Sequence, residues 1–165
     1  MNDVSKSHIT WDPATVVTLV ICIAIPILVG VFASFLTQNA MVRFNSMNKP
    51  PLAPPAWLFP VAWTILYILM GVSSFFILYS ENEAHYVGLV LYVAQLLFNF
   101  VWSLIFFRFE AYSFAALWLI VLLSLIIALI VGVARYSKPA MIMLIPYAAW
   151  CCFALYLNIG IAIRN

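Results

Sequence analysis

The sequence predicts an all-α integral membrane protein, a bundle of five transmembrane helices, and three observations carry that reading. Of its 165 residues, 67% are hydrophobic and 7% charged, too little charge to cover a soluble surface. The charges fall at a few borders: Asp12, Arg43, Lys49, Glu81, Glu83, Arg108, Glu110, Arg135, Lys138 and Arg164. Between them lie five windows, each able to hold the roughly 20 apolar residues that cross about 30 Å of hydrocarbon. A helix pairs its own main-chain groups, as lipid demands. The windows place helices near 13–37, 58–80, 86–107, 111–134 and 139–162, in one transmembrane domain covering 1–165 with its termini on opposite sides.

The first helix has a clear start: Asp12 can cap free amides, and Pro13 at the first helical position loses no intrahelical hydrogen bond. Lys6 ahead of an apolar run imitates a signal peptide, but "VVTLVICIAIPILVGVFASF" is longer than a signal core and reads as a wall of the bundle. Pro26 should bend this helix. The connection 38–57 is long and contains Arg43, Asn45, Asn48 and Lys49, followed by Pro50, Pro51, Pro54, Pro55 and Trp57. The prolines reject a regular helix while fixing local dihedrals, so the connection reads as a rigid lid with little secondary structure, ending on an interfacial tryptophan. A helix-breaking linker is the plainer alternative.

In the second helix Pro60, Trp63, Tyr67 and Ser74 form one stripe. Tyr92, Gln95, Asn99, Trp102 and Phe106 do so in the third. The fourth has Trp118, which no polar stripe accompanies and which reads as a core or lipid-facing aromatic. The fifth presents Pro146, Trp150, Ala154 and Asn158 on one face, with Tyr147 beside it. Three short connections make sequential helices antiparallel neighbours. Lys6, Arg135 and Lys138 fall on one side against Arg43, Lys49, Arg108 and Arg164 on the other, a margin of one that leans toward a cytoplasmic C-terminus.

Gln95, Asn99 and Asn158 are costly in lipid and should point inward. They either staple helices together or line a site. Convergence favours a site, because three helices each bring aromatic surface beside a hydrogen-bonding group, and Pro60 and Pro146 can divert backbones to leave a cavity. Such a lining suits a planar, largely apolar ligand with a few polar substituents. Enzyme chemistry has little support: His8 and His85 lie away from the stripes, and no carboxylate pair, histidine-rich metal set, nucleophile elbow or phosphate loop is evident. Cys22, Cys151 and Cys152 read as small buried hydrophobes, and a dispersed formal charge of +2 points to no nucleic-acid partner.

Three stretches, "NKPPLAPPAWLFPVAWTILYILMGVS", "QLLFNFVWSLIFF" and "LIPYAAWCCFALYLN" with a final "RN", together resemble the translocator protein family, the tryptophan-rich sensory proteins or peripheral-type benzodiazepine receptors. The resemblance covers about 44–165. It implies a five-helix bundle that binds porphyrins, including haem-related tetrapyrroles, and isoquinoline- or benzodiazepine-like ligands beneath the first loop. Trp63 and Trp150 match pocket tryptophans, and Gln95, Asn99, Tyr147, Ala154 and Asn158 match polar and small positions. The resemblance also implies light- and oxygen-dependent porphyrin breakdown, for which Trp63 and Trp150 are the candidate chemical residues, and a homodimer.

This chain departs from the family pattern at Arg43-Phe44, where a Trp-Tyr pair is usual, and at Leu52, where a second loop tryptophan is usual. Tyr156 and Arg164 stand too far apart for the cholesterol motif of animal members. No metal or obligatory cofactor is expected; porphyrin or haem and membrane lipid are the expected partners. Gly30 with Ser34 and Ala128 with Gly132 are small pairs that permit close helix approach. Two other readings are a non-catalytic scaffold or stress-response adaptor, and a tetrapyrrole or lipid transporter.

Overall fold

The computed structural model describes residues 9–165, so the expectations attached to Lys6 and His8 lie outside the described residues. Among the described residues there is no strand, and five helices are long and apolar enough to cross a membrane. The chain is an integral, multi-pass membrane protein.

Helix α1 spans Pro13–Leu36. The Asp12 side chain accepts a hydrogen bond from the Thr15 amide at 2.7 Å, which holds its carboxyl below the usual carboxylate range. Pro26 is buried within the helix. At its end the chain turns through Asn39, which adopts a left-handed φ of 65°, a conformation Asn tolerates better than most residues.

The connection does not run without regular structure to Trp57. A short helix α2, Ala40–Ser46, occupies its first part. The prolines that reject a helix begin only at Pro50, and Phe44 decides the outcome. Its ring is buried and packs edge-on against Phe59 at 4.7 Å, a contact that folding 40–46 into a helix makes possible.

Helix α3 spans Leu58–Leu78. Pro60 stands in its first turn, where the missing amide would have had no intrahelical acceptor, so it does not divert the backbone as expected. Helix α4, His85–Ser103, runs on through a π-helical turn, Leu104–Arg108, which shifts the residues after it around the axis. Helix α5 is Tyr112–Val133 and α6 is Lys138–Arg164, with Pro146 inside α6 and facing outward.

Around the bundle the packed order is α1, α3, α6, α5, α4 and back to α1, with α3 also touching α4. Lipid tails are as apolar as leucine, so close packing and polar ties must hold these helices together. At Gly71 the backbones of α3 and α1 come so near that an added Cβ would lie 2.5 Å from the Ile23 Cα. The Ser73 hydroxyl donates to the Ala140 carbonyl at 2.9 Å, tying α3 to α6. Trp118 stacks on Phe98 and donates its indole N–H to the Phe98 carbonyl at 2.9 Å, tying α5 to α4. Cys151 is buried and Cys22 partly so, but Cys152 faces outward, unlike the expectation for all three.

The proline-rich segment is fastened to the end of α6. The Asn48 amide donates to Asn165 Oδ1 at 3.1 Å, and Asn165 Nδ2 donates to the Asn48 carbonyl at 3.0 Å. The Tyr156 hydroxyl donates to the Pro51 carbonyl at 2.7 Å. Pro50 is buried on Gly160, where a Cβ would stand 2.6 Å from its ring. Leu52 points away from the bundle at 84% exposure, and Pro51, Pro55 and Trp57 are exposed while Pro54 is half-buried.

Candidate functional site

A cavity of about 410 Å³ opens at the end of the bundle that holds α2, within the range of drug-sized ligand sites. Helix α1 contributes Gly30, which leaves room for the Tyr67 ring. Helix α3 contributes Phe59, Trp63 and Tyr67, helix α4 contributes Asn99 and Trp102, and the π turn adds Phe107. The turn into α2, Thr37 to Ala40, forms one rim. Among the described residues no charged side chain lines this space.

The rings form a continuous wall. Trp63 lies 5.7 Å from Tyr67, 6.0 Å from Trp102 and 6.3 Å from Tyr147, centroid to centroid. Trp102 continues to Phe106 at 5.6 Å and to Phe107 at 6.3 Å. The spacing of Trp63 and Tyr67 by four residues, and of Asn99 and Trp102 by three, is what brings each pair to one helix face.

Of the residues singled out from the sequence, Pro60, Trp63, Tyr67, Asn99 and Trp102 share the cavity wall. Gln95, Tyr147, Ala154 and Asn158 are buried but do not line it, Trp150 is half-buried and edge-on to Phe59 at 6.0 Å, and none of Pro50, Pro51, Pro54, Pro55 and Trp57 is part of the lining. Pro146 turns outward, away from the other members of its stripe. The wall includes Gly30, Phe59 and Phe107, which the stripes did not single out. The π turn hid Phe107, because a pattern of three and four residues assumes an uninterrupted α-helix.

The three amides play different parts. Asn158 is a staple: its Oδ1 accepts from Trp102 Nε1 at 3.2 Å and its Nδ2 donates to the Tyr112 carbonyl at 2.8 Å, joining α6 to α4 and α5. Asn99 accepts from the Tyr67 hydroxyl through Oδ1 at 2.9 Å, but its buried Nδ2 has no partner. Gln95 has no partner at either Oε1 or Nε2, and Trp150 Nε1 is also buried and unpaired, whereas the Tyr147 hydroxyl lies beside the Asn99 amide and the Cys151 thiol without a hydrogen bond of good geometry. Each such group costs about 1–3 kcal/mol when left unsatisfied, so the core between α3, α4 and α6 holds a set of unused hydrogen-bonding groups beside the ring wall.

The lid helix is tied to the π turn. Arg43 Nη1 donates to the Phe107 carbonyl at 2.7 Å and lies 3.2 Å from Glu110 Oε1. Glu110 itself has a left-handed φ of 55°, and Arg108 Nη1 donates across to the Leu36 carbonyl at 3.0 Å. His85, expected in the connection, is the first residue of α4 at the opposite end, half-exposed, with Nδ1 2.8 Å from the Asn82 carbonyl. Among the described residues no group of three His, Cys, Asp or Glu could hold a metal ion. The arrangement can therefore grip a flat apolar body and orient its polar substituents.

A family model described as "TspO/MBR family" matches residues 22–164. The chain is similar to the tryptophan-rich protein TspO of Chlorobaculum tepidum, 41% identical across 91% of this chain and 97% of that one. A tryptophan-rich protein TspO from Archaeoglobus fulgidus is 33% identical across 91% and 98% of the two chains. The translocator protein of Bos taurus is 33% identical across 90% of this chain and 87% of its own.

Proposed function

Because the chain belongs to the TspO/MBR family, we propose that it is a membrane receptor-like protein that binds a porphyrin or haem-related tetrapyrrole in the cavity beneath α2. Isoquinoline- and benzodiazepine-like molecules offer the same flat, largely apolar shape and suit the same wall. The observation that carries this reading is the pairing of a wall of mutually tilted rings with an amide donor that lacks a well-formed hydrogen bond. Trp63, Tyr67 and Trp102 stand around a space of about 410 Å³, and Asn99 Nδ2 is buried there without a partner. Ring contacts hold a planar body by dispersion, and a buried amide repays its desolvation only when something accepts its hydrogen bond.

In this reading Trp63 and Trp102 contact the ligand, Tyr67 fixes the Asn99 amide by occupying Oδ1, and Asn99 Nδ2 donates to a polar substituent. Gln95, Tyr147 and Trp150 supply further donors and acceptors from behind the wall, with Ala154 leaving space. Pro50, Pro51, Pro54, Pro55 and Trp57, fastened to α6, would close the bundle end beside the cavity, while the turn into α2 forms the cavity's own rim. Trp63 is the indole best placed to give an electron to a light-excited ring, in a photodegradation that consumes oxygen. Trp150 would act through the Phe59 contact.

Porphyrin fluorescence titrated against the purified protein in one lipid tests the reading. Saturable binding is expected, weakened about 5- to 150-fold in Asn99→Leu through the lost hydrogen bond, and weakened also in Trp63→Phe. Equal binding by wild type and both variants would overturn the site.

The assembly proposed with this function is a homodimer. Tyr67 fills the space beside Gly30 within one protomer, whereas an added Cβ at Gly132 would meet nothing within 4 Å and Ala128 is exposed, which favours the α5 pair as the point of close approach. A monomer at high protein concentration in mild detergent would refute this.

A further inference from the structure

We propose that Arg43 and Arg108 form an oxyanion subsite at the mouth of the aromatic cavity, taking the carboxylate substituents of the bound ring. The inference rests on the tetrapyrrole reading above and adds the ligand's charge to it. A second cleft, of about 580 Å³, adjoins the cavity and is lined by Thr37, Gln38, Asn39, Arg43 and Arg108. Thr37, Gln38 and Asn39 line both spaces, so the two are neighbours across the turn into α2, and a ring in one would hold its substituents toward the other.

The two spaces differ in chemistry. The aromatic cavity has no charged lining among the described residues, and a carboxylate carried into it would exchange its hydration for a few neutral donors with no cation to balance its charge. A ring carrying carboxylates must therefore leave them outside the ring wall. The adjoining cleft is where they would emerge, and it offers two guanidinium groups.

Both guanidiniums have donors to spare. Each arginine carries five N–H groups in a fixed fork that matches a carboxylate. Arg43 meets Phe107 and Glu110 through Nη1 alone, and Arg108 meets Leu36 through Nη1. Among the described residues no hydrogen bond or ion pair engages Nε or Nη2 of either. Glu110 offsets one of the two positive charges and leaves the cleft net cationic. A phospholipid phosphate has similar chemistry, but it has no use for the adjoining ring wall, so continuity with that wall favours the ligand's own carboxylates.

The test compares protoporphyrin IX with its dimethyl ester, titrated by fluorescence in uncharged detergent free of phospholipid and corrected for micelle partition. The wild type should favour the free acid about 5- to 30-fold, the range expected for charge-assisted hydrogen bonds partly screened by water. Arg43→Gln and Arg108→Gln should each remove most of that preference, and Arg43→Lys should restore part of it. Glu110→Gln should raise it by removing a competing carboxylate. Arg135→Gln, at the opposite end, should leave it unchanged.

An equal preference for acid and ester in the wild type overturns the proposal. So does an Arg43→Gln variant that weakens both rings alike, because the arginine is then only a latch for α2. If, in a separate measurement with added phosphatidylglycerol, lipid binding follows the two arginines while the acid-to-ester ratio does not, the cleft belongs to lipid phosphate and the proposal falls. Absence of saturable binding by either ring would sink the tetrapyrrole reading as well, whereas equal, saturable binding of both rings would leave that reading standing.

Discussion

Replacing Gly30 by alanine would test the contact that shapes the cavity wall. An alanine Cβ at this position would lie 2.2 Å from Tyr67 Cε2 and 2.8 Å from Cδ2, where ordinary contact begins at 3.4 Å. The ring must therefore retreat by about 1.2 Å. The Tyr67 hydroxyl is 2.9 Å from Asn99 Oδ1, so a retreat of that size directed away from Asn99 takes it out of hydrogen-bonding reach. Crowding costs about 1–3 kcal/mol and the lost hydrogen bond about 0.5–1.5 kcal/mol, against a helix-propensity gain of roughly 1 kcal/mol for alanine over glycine. The net expectation is a loss of about 1–3 kcal/mol in stability, with porphyrin affinity falling because Asn99 is no longer held. Unfolding by sodium dodecyl sulfate in mixed micelles measures the first quantity, and fluorescence titration the second. In a Tyr67→Leu background the shorter side chain should relieve the crowding, so the same substitution should cost less. Gly132→Ala is the control for the single protomer: nothing within the protomer lies within 4 Å of its added Cβ, so in micelles that dissociate the proposed dimer it should be neutral or slightly stabilising. If Gly30→Ala is as stable as Gly132→Ala and binds porphyrin like wild type, the argument from Tyr67 fails.

Asn158→Leu should be more damaging to stability than to binding, since it strands Trp102 Nε1 and the Tyr112 carbonyl at about 1–3 kcal/mol each; equal stability in the mixed-micelle assay would show that the staple is unimportant. Gly160→Ala drives a methyl to 2.6 Å from the Pro50 ring, so limited proteolysis should cut the 47–57 segment faster than in wild type. An unchanged cleavage rate would mean that the lid is held elsewhere. Trp118→Phe loses one hydrogen bond to the Phe98 carbonyl, worth about 1 kcal/mol of stability, and should leave porphyrin affinity close to wild type; a large loss of affinity would place α5 in the site.

Much of the fold was legible because membrane physics writes it into composition. Lipid cannot satisfy a bare peptide group, so charge-free windows of sufficient length must be helices, and the charges between them mark the ends. The stripe spacing likewise shows that Trp63 and Tyr67 share a face, as do Asn99 and Trp102, since this follows from helix geometry alone. The capping role of Asp12 is equally local, needing only the Thr15 amide three residues on. What the sequence could not rank was the use of each amide. Asn99 and Asn158 are the same side chain at inward positions, yet one retains an unpaired donor beside the cavity and the other is consumed by Trp102 and Tyr112. That difference depends on which helices meet, information held by no single segment. The short helix α2 has the same origin: 40–46 has no strong local signal, and burial of Phe44 against Phe59 selects its conformation. The two arginines come together in the same way. Arg43 and Arg108 are separated by two membrane crossings in the chain, and only the packing of α2 against the end of α4 sets them around one cleft. Sequence thus determined the spans and the chemical character of each helix face, while the order of the helices around the bundle decided which faces meet and which polar groups stay unpaired, because those choices are made by close packing between segments distant along the chain.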